Sequence, residues 1–157
     1  MPRYLSQRNG YSCVPVALIN LAKWLGLGWS YRKHYERAMT LTQCDPKSGT
    51  CRKRFALALV QMKVKFDYLG LVNTADITAA LDDGMSVVLG VAWYNGPNLC
   101  HHMLMIADQT DDEFQVINGH TPCGMYPQTE RWMGKQEFAE EYMTPVEGFP
   151  FAITIEK

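Results

Sequence analysis

The chain has 157 residues, 47% of them hydrophobic and 20% charged, and carries a formal net charge of −1. That length fits one domain over residues 1–157, with core enough to fold without disulfide or metal staples. The near-neutral balance argues against a nucleic-acid binder that works through broad positive charge, and the composition against a disordered chain.

The first apolar stretch, Val14 to Leu27, is interrupted by Asn20 and Lys23 and is too short for the roughly 20 apolar residues of a membrane span. Gly28-Trp29-Ser30-Tyr31 is a poor cleavage site for a secretory signal, so a cytoplasmic protein is expected. A helix is predicted from Cys13 to about Leu25, with Ser12 as its cap and Pro15 in its first turn. Val14, Leu18, Leu21, Ala22 and Leu25 recur at helical spacing, and Gly26 stops the helix. Further helices are predicted over Tyr31 to Met39 and Arg52 to Met62; the loop Gln43 to Cys51 between them carries no predicted element. The basic run Arg52-Lys53-Arg54 reads as a solvated helix end. Val64 to Tyr68 alternates like a half-buried strand, and Asn73-Thr74-Ala75-Asp76 opens a short helix that stops at Asp82-Asp83-Gly84. Strands follow at Ser86 to Trp93, His102 to Ala107, Glu113 to Asn118 and Phe151 to Ile155, with one helix at Lys135 to Tyr142. Helices come early and strands late, with no βαβ alternation and no internal repeat. The pattern predicts an α+β domain with an antiparallel sheet.

Five cysteines are an odd number and do not look like a disulfide framework. Cys44 and Cys51 flank a loop, but neither belongs to a CxxC pair, and free thiols are expected at Cys44, Cys51, Cys100 and Cys123. Cys13 differs in its surroundings. The first residue of a helix lies among unpaired main-chain N–H groups at the positive end of the macrodipole, which favours the thiolate and can also face an oxyanion. Gln7 sits in the polar approach Ser6-Gln7-Arg8-Asn9-Gly10, where its amide can supply a second oxyanion donor. Taken alone, a small core cysteine beside a surface glutamine explains these residues as well.

The His102 region adds weight. Folding the strands around His102 to Ala107 and Glu113 to Asn118 into a hairpin about Thr110 and Asp111 sets His102 across from Asn118 or its neighbour. Directly opposed residues share a face with Cβ atoms roughly 5 Å apart. An Asn oxygen accepting from one ring nitrogen aims the other at a nucleophile. His101 is the rival, placed by alternation on the face away from Asn118. The order Cys, His, Asn is that of papain-like enzymes.

Gln7, then Cys13 six residues on, then an apolar helix ending at Leu25-Gly26 resembles the double-glycine leader peptidases, papain-like domains that process bacteriocin precursors. His102-Met103-Leu104-Met105-Ile106 and Gln115-Val116-Ile117-Asn118 are similar to that family's histidine and aspartate strands. The resemblance spans most of Gln7 to Asn118. It departs at Ser12, Val14, His101 and Asn118-Gly119, where the family commonly has Asp, Gly, Gly and Asp-Pro. The resemblance implies a papain-like fold with the nucleophile helix packed on an antiparallel sheet. It also implies hydrolysis of a peptide bond by Cys13, with His102 as base, Asn118 orienting it and Gln7 in the oxyanion hole, and no cofactor or metal. A peptide or protein substrate is expected, and Trp93, Tyr94 and Trp132 are candidates to line its cleft. Two alternatives stand beside a peptidase on this constellation: a deamidase or acyltransferase, and a binding module that has kept the fold without turnover. A third is a metal protein using Cys44, Cys51, Cys100 and a histidine among His34, His101 and His120.

Overall fold

The computed structural model describes residues 4–119 and 128–157. Three helices lead the chain: α1 (Cys13–Trp24), α2 (Tyr31–Thr42) and α3 (Arg52–Gln61). They are followed by β1 (Phe66–Leu71), α4 (Thr74–Asp82), β2 (Ser86–Asn95), β3 (Asn98–Gln109), β4 (Glu113–Gly119), β5 (Gln128–Gly134), α5 (Lys135–Tyr142) and β6 (Phe151–Ile155). The six strands form one sheet in the order β1-β6-β2-β3-β4-β5, and every neighbouring pair is antiparallel.

The sheet is buried on both faces, which divides the core in two. On one face α1 to α3 pack against Val88, Met103, Met105, Ile117, Phe151, Ile153 and Ile155. On the other, residues of α4 and α5 pack against Val87, Leu89, Val91, Leu104, Ile106, Phe114, Val116 and Ala152. The alternation of a strand sorts consecutive residues between these two cores. α1 is buried all round from Val14 to Ala22, so its polar Asn20 needs partners. It finds them in the chain's approach: Asn20 Oδ1 accepts from Leu5 N–H at 2.8 Å and Nδ2 donates to Leu5 C=O at 2.9 Å. That residue, read from sequence only as a polar interruption, ties residues 4–12 alongside the helix they feed.

Several local expectations are met closely. Asn73 caps α4 in a full capping box with Asp76 (Asp76 N–H to Asn73 Oδ1, 3.0 Å; Asn73 N–H to Asp76 Oδ2, 2.9 Å). The predicted helices at α3 and α5 and the last strand fall within a residue of their observed limits. Two expectations are corrected. The strand β5 has no predicted counterpart: Gln-Thr-Glu-Arg-Trp-Met-Gly carries no run of β-branched residues and forms by pairing at the sheet edge with β4. Ser12 occupies the N-cap position of α1 but makes no side-chain cap bond, because its φ of −95° and ψ of 20° depart from the extended geometry a capping side chain uses.

Candidate active site

The helix start at Cys13 is set up from behind by Asn9. Its Oδ1 accepts from Tyr11 N–H (3.2 Å) and Ser12 N–H (2.9 Å), a tight side-chain turn that delivers the chain into α1. The Ser12 hydroxyl beneath it is buried with no hydrogen-bond partner among the described residues. The next turn of the wall comes from residues 43–51: Asp45 and Gly49 bridge, and the Cys44 thiol donates to Tyr11 C=O at 3.5 Å.

Cys13 is partly buried, and burial pushes its thiol from 9.0 up to about 11; main-chain N–H groups of Met103, Val14 and Cys13 itself offset only part of that. The expectation that the helix start depresses this pKa is corrected for the resting protein: desolvation outweighs the N–H groups, and Cys13 is a thiol at neutral pH.

The β3–β4 hairpin turns one residue later than predicted, with Thr110 N–H donating to Glu113 C=O, and carries a bulge. Asp108 opposes Gln115, but Ile106 opposes Val116 and Met105 opposes Ile117, so one extra residue on β3 shifts the register. Beyond the bulge the register runs from Met105 and Ile117 to Leu104 level with Asn118, so His102 lies two residues past the directly opposed position. The two still meet, through different atoms from those expected: His102 Nε2 lies 2.5 Å from the main-chain oxygen of Asn118. The Asn118 side chain turns to Gln7 instead, with Oδ1 accepting from Gln7 N–H (2.9 Å) and Nδ2 donating to Gln7 Oε1 (3.1 Å). Asn118 sits at φ 56°, the left-handed region that asparagine tolerates. Gln7 Nε2 donates to Asn9 C=O at 2.8 Å.

Alternation separates the two histidines. His102 pairs with Val91 and lies two residues from Leu104, both in the core of the α4 and α5 face. His101 lies two residues from Met103, which belongs with Cys13 to the core of the α1 face. Its ring packs on Phe149 with centroids 4.8 Å apart.

A cavity of about 270 Å³ opens over the start of α1, lined by both Cys13 and the His101–Met103 stretch of β3. Phe149, Phe151 and Val14 supply its apolar wall; Thr50, Cys51, Arg52 and Glu147 supply polar groups. Gly90 lines it too, because the Phe151 ring occupies the space of a side chain there: an added Cβ would lie 2.1 Å from Phe151 Cε1. Gln7, Asn118, Trp93 and Tyr94 are outside this lining. Trp93 packs against the α4 and α5 core, while Tyr94 is exposed and donates its hydroxyl to Glu147 Oε1 at 2.9 Å. Trp132 is on the edge strand β5. Sequence reasoning missed Thr50, Glu147, Phe149 and Phe151 at this site. They come from loops and a distant strand, and no spacing relates them to Cys13.

Among the described residues Cys13, Cys44, Cys51 and Cys100 are free thiols, and no group of three or more His, Cys, Asp or Glu is arranged to hold a metal ion. His34 stacks on Trp29 and accepts from Ser30 N–H at 3.0 Å, a packing role. His120 and Cys123 lie outside the described residues.

No protein-family model matches the chain, and no curated protein matches it. Solved structures do. The peptidase domain of Streptococcus ComA, a bi-functional ABC transporter involved in a quorum-sensing pathway, superposes with a TM-score of 0.66 at 15% identity, covering 100% of both chains. A putative C39-like peptidase from Bacillus anthracis gives 0.60 at 11% identity, over 99% of this chain and 94% of that one. The chain thus has the mixed helix and antiparallel-sheet fold of C39 papain-like peptidases, as the resemblance in its sequence implied. Among the described residues no helix is long and apolar enough to cross a membrane.

Proposed function

We propose that this protein is a cysteine peptidase in which Cys13 attacks the carbonyl carbon of a substrate peptide bond. The observation that carries the reading is the cavity at the start of α1, where the thiol and a histidine-bearing stretch of β3 share one wall, on a fold similar to two peptidases. Because burial keeps the thiol protonated, a base must take its proton as attack occurs. We assign that base to His101 rather than His102: both line the cavity, and the alternation of β3 that puts Met103 in the core with Cys13 supports His101, two residues away, as the one whose ring turns to that face. His102 and Asn118 then act as positioning residues: His102 holds the Asn118 carbonyl on one face, and the Asn118 amide holds Gln7 on the other.

In the proposed reaction the S–H proton passes to His101 as the sulfur–carbon bond forms. The oxyanion is held by the Cys13 N–H; the Gln7 amide, outside the cavity lining and bound to Asn9 and Asn118, becomes the second donor on turning into the cavity. His101 returns the proton to the leaving amine as the C–N bond breaks. Water then hydrolyses the thioester, releasing the acid and restoring the thiol.

The test is cleavage of a proteome-derived peptide library, read by mass spectrometry of new termini. Products that depend on Cys13 and vanish in Cys13→Ala and His101→Ala, but persist at reduced level in His102→Gln, are expected. Loss only in the His102 variant returns the base to that residue. No Cys13-dependent product leaves a binding module on this fold as the better reading.

A further inference from the structure

We infer that the Cys13 cavity selects a substrate carrying a carboxylate close to the scissile bond, with Arg52 as the residue that reads it. The peptide nature of that substrate rests on the function proposed above; the preference for an anion at this cavity does not.

Three observations converge. First, α3 opens with Arg52, Lys53 and Arg54 and has no acidic residue in its first turn. Cations at a helix start oppose the macrodipole, each typically by a few tenths of a kcal/mol to about 1 kcal/mol, so the arrangement is locally unfavourable and a sign of function rather than of helix stability. Second, Arg52 lines the cavity with Cys13 and makes no ion pair among the described residues. Its guanidinium is spread over aromatic faces instead, 5.2 Å from the Phe151 ring centroid and 5.8 Å from that of Tyr68. Stacking of this kind fixes the planar group while leaving its in-plane N–H donors free for a carboxylate. Third, Thr50 lines the same cavity, and its hydroxyl, turned inward from solvent, has no hydrogen-bond partner among the described residues. A rotation about χ1 that brings the hydroxyl to a bound carboxylate oxygen therefore gives up no existing bond.

The cavity also contains a carboxylate of its own, Glu147. It forms no ion pair with Arg52, and its Oε1 is occupied by the Tyr94 hydroxyl. The wall is therefore divided: Arg52 and Thr50 offer donors at the α3 end, and the Phe149 to Phe151 surface offers apolar contact beside them. A peptide with an acidic side chain, or a free C-terminal carboxylate, fits that division.

The first measurement is independent of turnover. Alkylation of Cys13 by iodoacetate and by iodoacetamide is followed by peptide mass mapping at low salt, with Cys100 as internal control. A cation within the same cavity raises the ratio of anionic to neutral reagent by about fivefold. Arg52→Gln is expected to remove that gain, and Arg52→Lys to keep most of it. An unchanged ratio in Arg52→Gln, in a protein with unaltered circular dichroism, overturns the inference. The second measurement is the peptide-library cleavage profile. Asp or Glu near the cleaved bond, exchanged for Lys or Arg in Arg52→Glu, supports side-chain recognition. A preference for bonds near free C-termini, lost on amidation, supports recognition of the chain end. Cleavage without any charge preference overturns the inference while leaving the peptidase intact. A shifted alkylation ratio without any cleavage supports the anion site and overturns the peptidase reading alone.

Discussion

Raising the pH tests the buried thiol directly. Cys13 rises from 9.0 to about 11 on burial, so at pH 7 its thiolate fraction is about 100-fold below that of a solvated thiol. Iodoacetamide is therefore expected to label the exposed Cys51 well before Cys13 at neutral pH. The Cys13 rate should climb close to tenfold per pH unit and level off only near pH 11. The same shift enters folding stability with a defined sign. Between pH 9 and 11 the unfolded chain gives up this proton and the folded chain keeps it. The contribution is thus fully present below about 9 and lost as pH rises through 11, amounting to about 2.7 kcal/mol for a change of that size. Urea titrations at pH 8 and pH 10.5 on wild type and Cys13→Ala isolate it, since the variant lacks the group. Preferential labelling of Cys13 at neutral pH, or a rate plateau at pH 9 or below, refutes the argument that desolvation dominates at this helix start.

Other perturbations probe the scaffold around the site. Gly90→Ala drives a methyl into the Phe151 ring and is expected to cost about 1–3 kcal/mol and to narrow the cavity; Phe151→Leu in the same chain should recover part of the loss, read by thermal unfolding. Asn118→Gly keeps the left-handed backbone and the carbonyl facing His102 but deletes both Gln7 bonds, so it should fold and lose activity, whereas Asn118→Val should also lose stability. Asn73→Ala removes the α4 capping box far from the cavity and should lower stability by about 1 kcal/mol with the cleavage rate unchanged. Phe138→Ala, fully buried on the α5 face, should cost about 3–5 kcal/mol in denaturant titration.

Periodicity, punctuation and residue type were enough to set out the order of elements: the apolar helix beginning at Cys13, the Asn73 cap, the antiparallel strands and the α+β class. These are local properties, because a strand or helix advertises its buried face through spacing along the chain itself. The placement of Cys13 at a helix start was legible for the same reason. Only the tertiary structure showed that the stretch bearing His101 and His102 lines one cavity with Cys13, and that His102 meets the Asn118 carbonyl rather than its side chain. The β3–β4 turn closes one residue later than its turn-forming residues suggest, and a left-handed Asn118 separates the direction of its side chain from that of its carbonyl. Neither change leaves a mark on the hydrophobic pattern. The edge strand β5, the reach of Asn20 back to Leu5 and the joining of Thr50, Arg52, Glu147 and Phe149 around one cavity likewise depend on contacts between segments far apart in sequence. The thiol's pKa follows the same division: sequence places it at the favourable end of a helix, but the depth of burial, a property of the assembled fold, sets the sign of its shift.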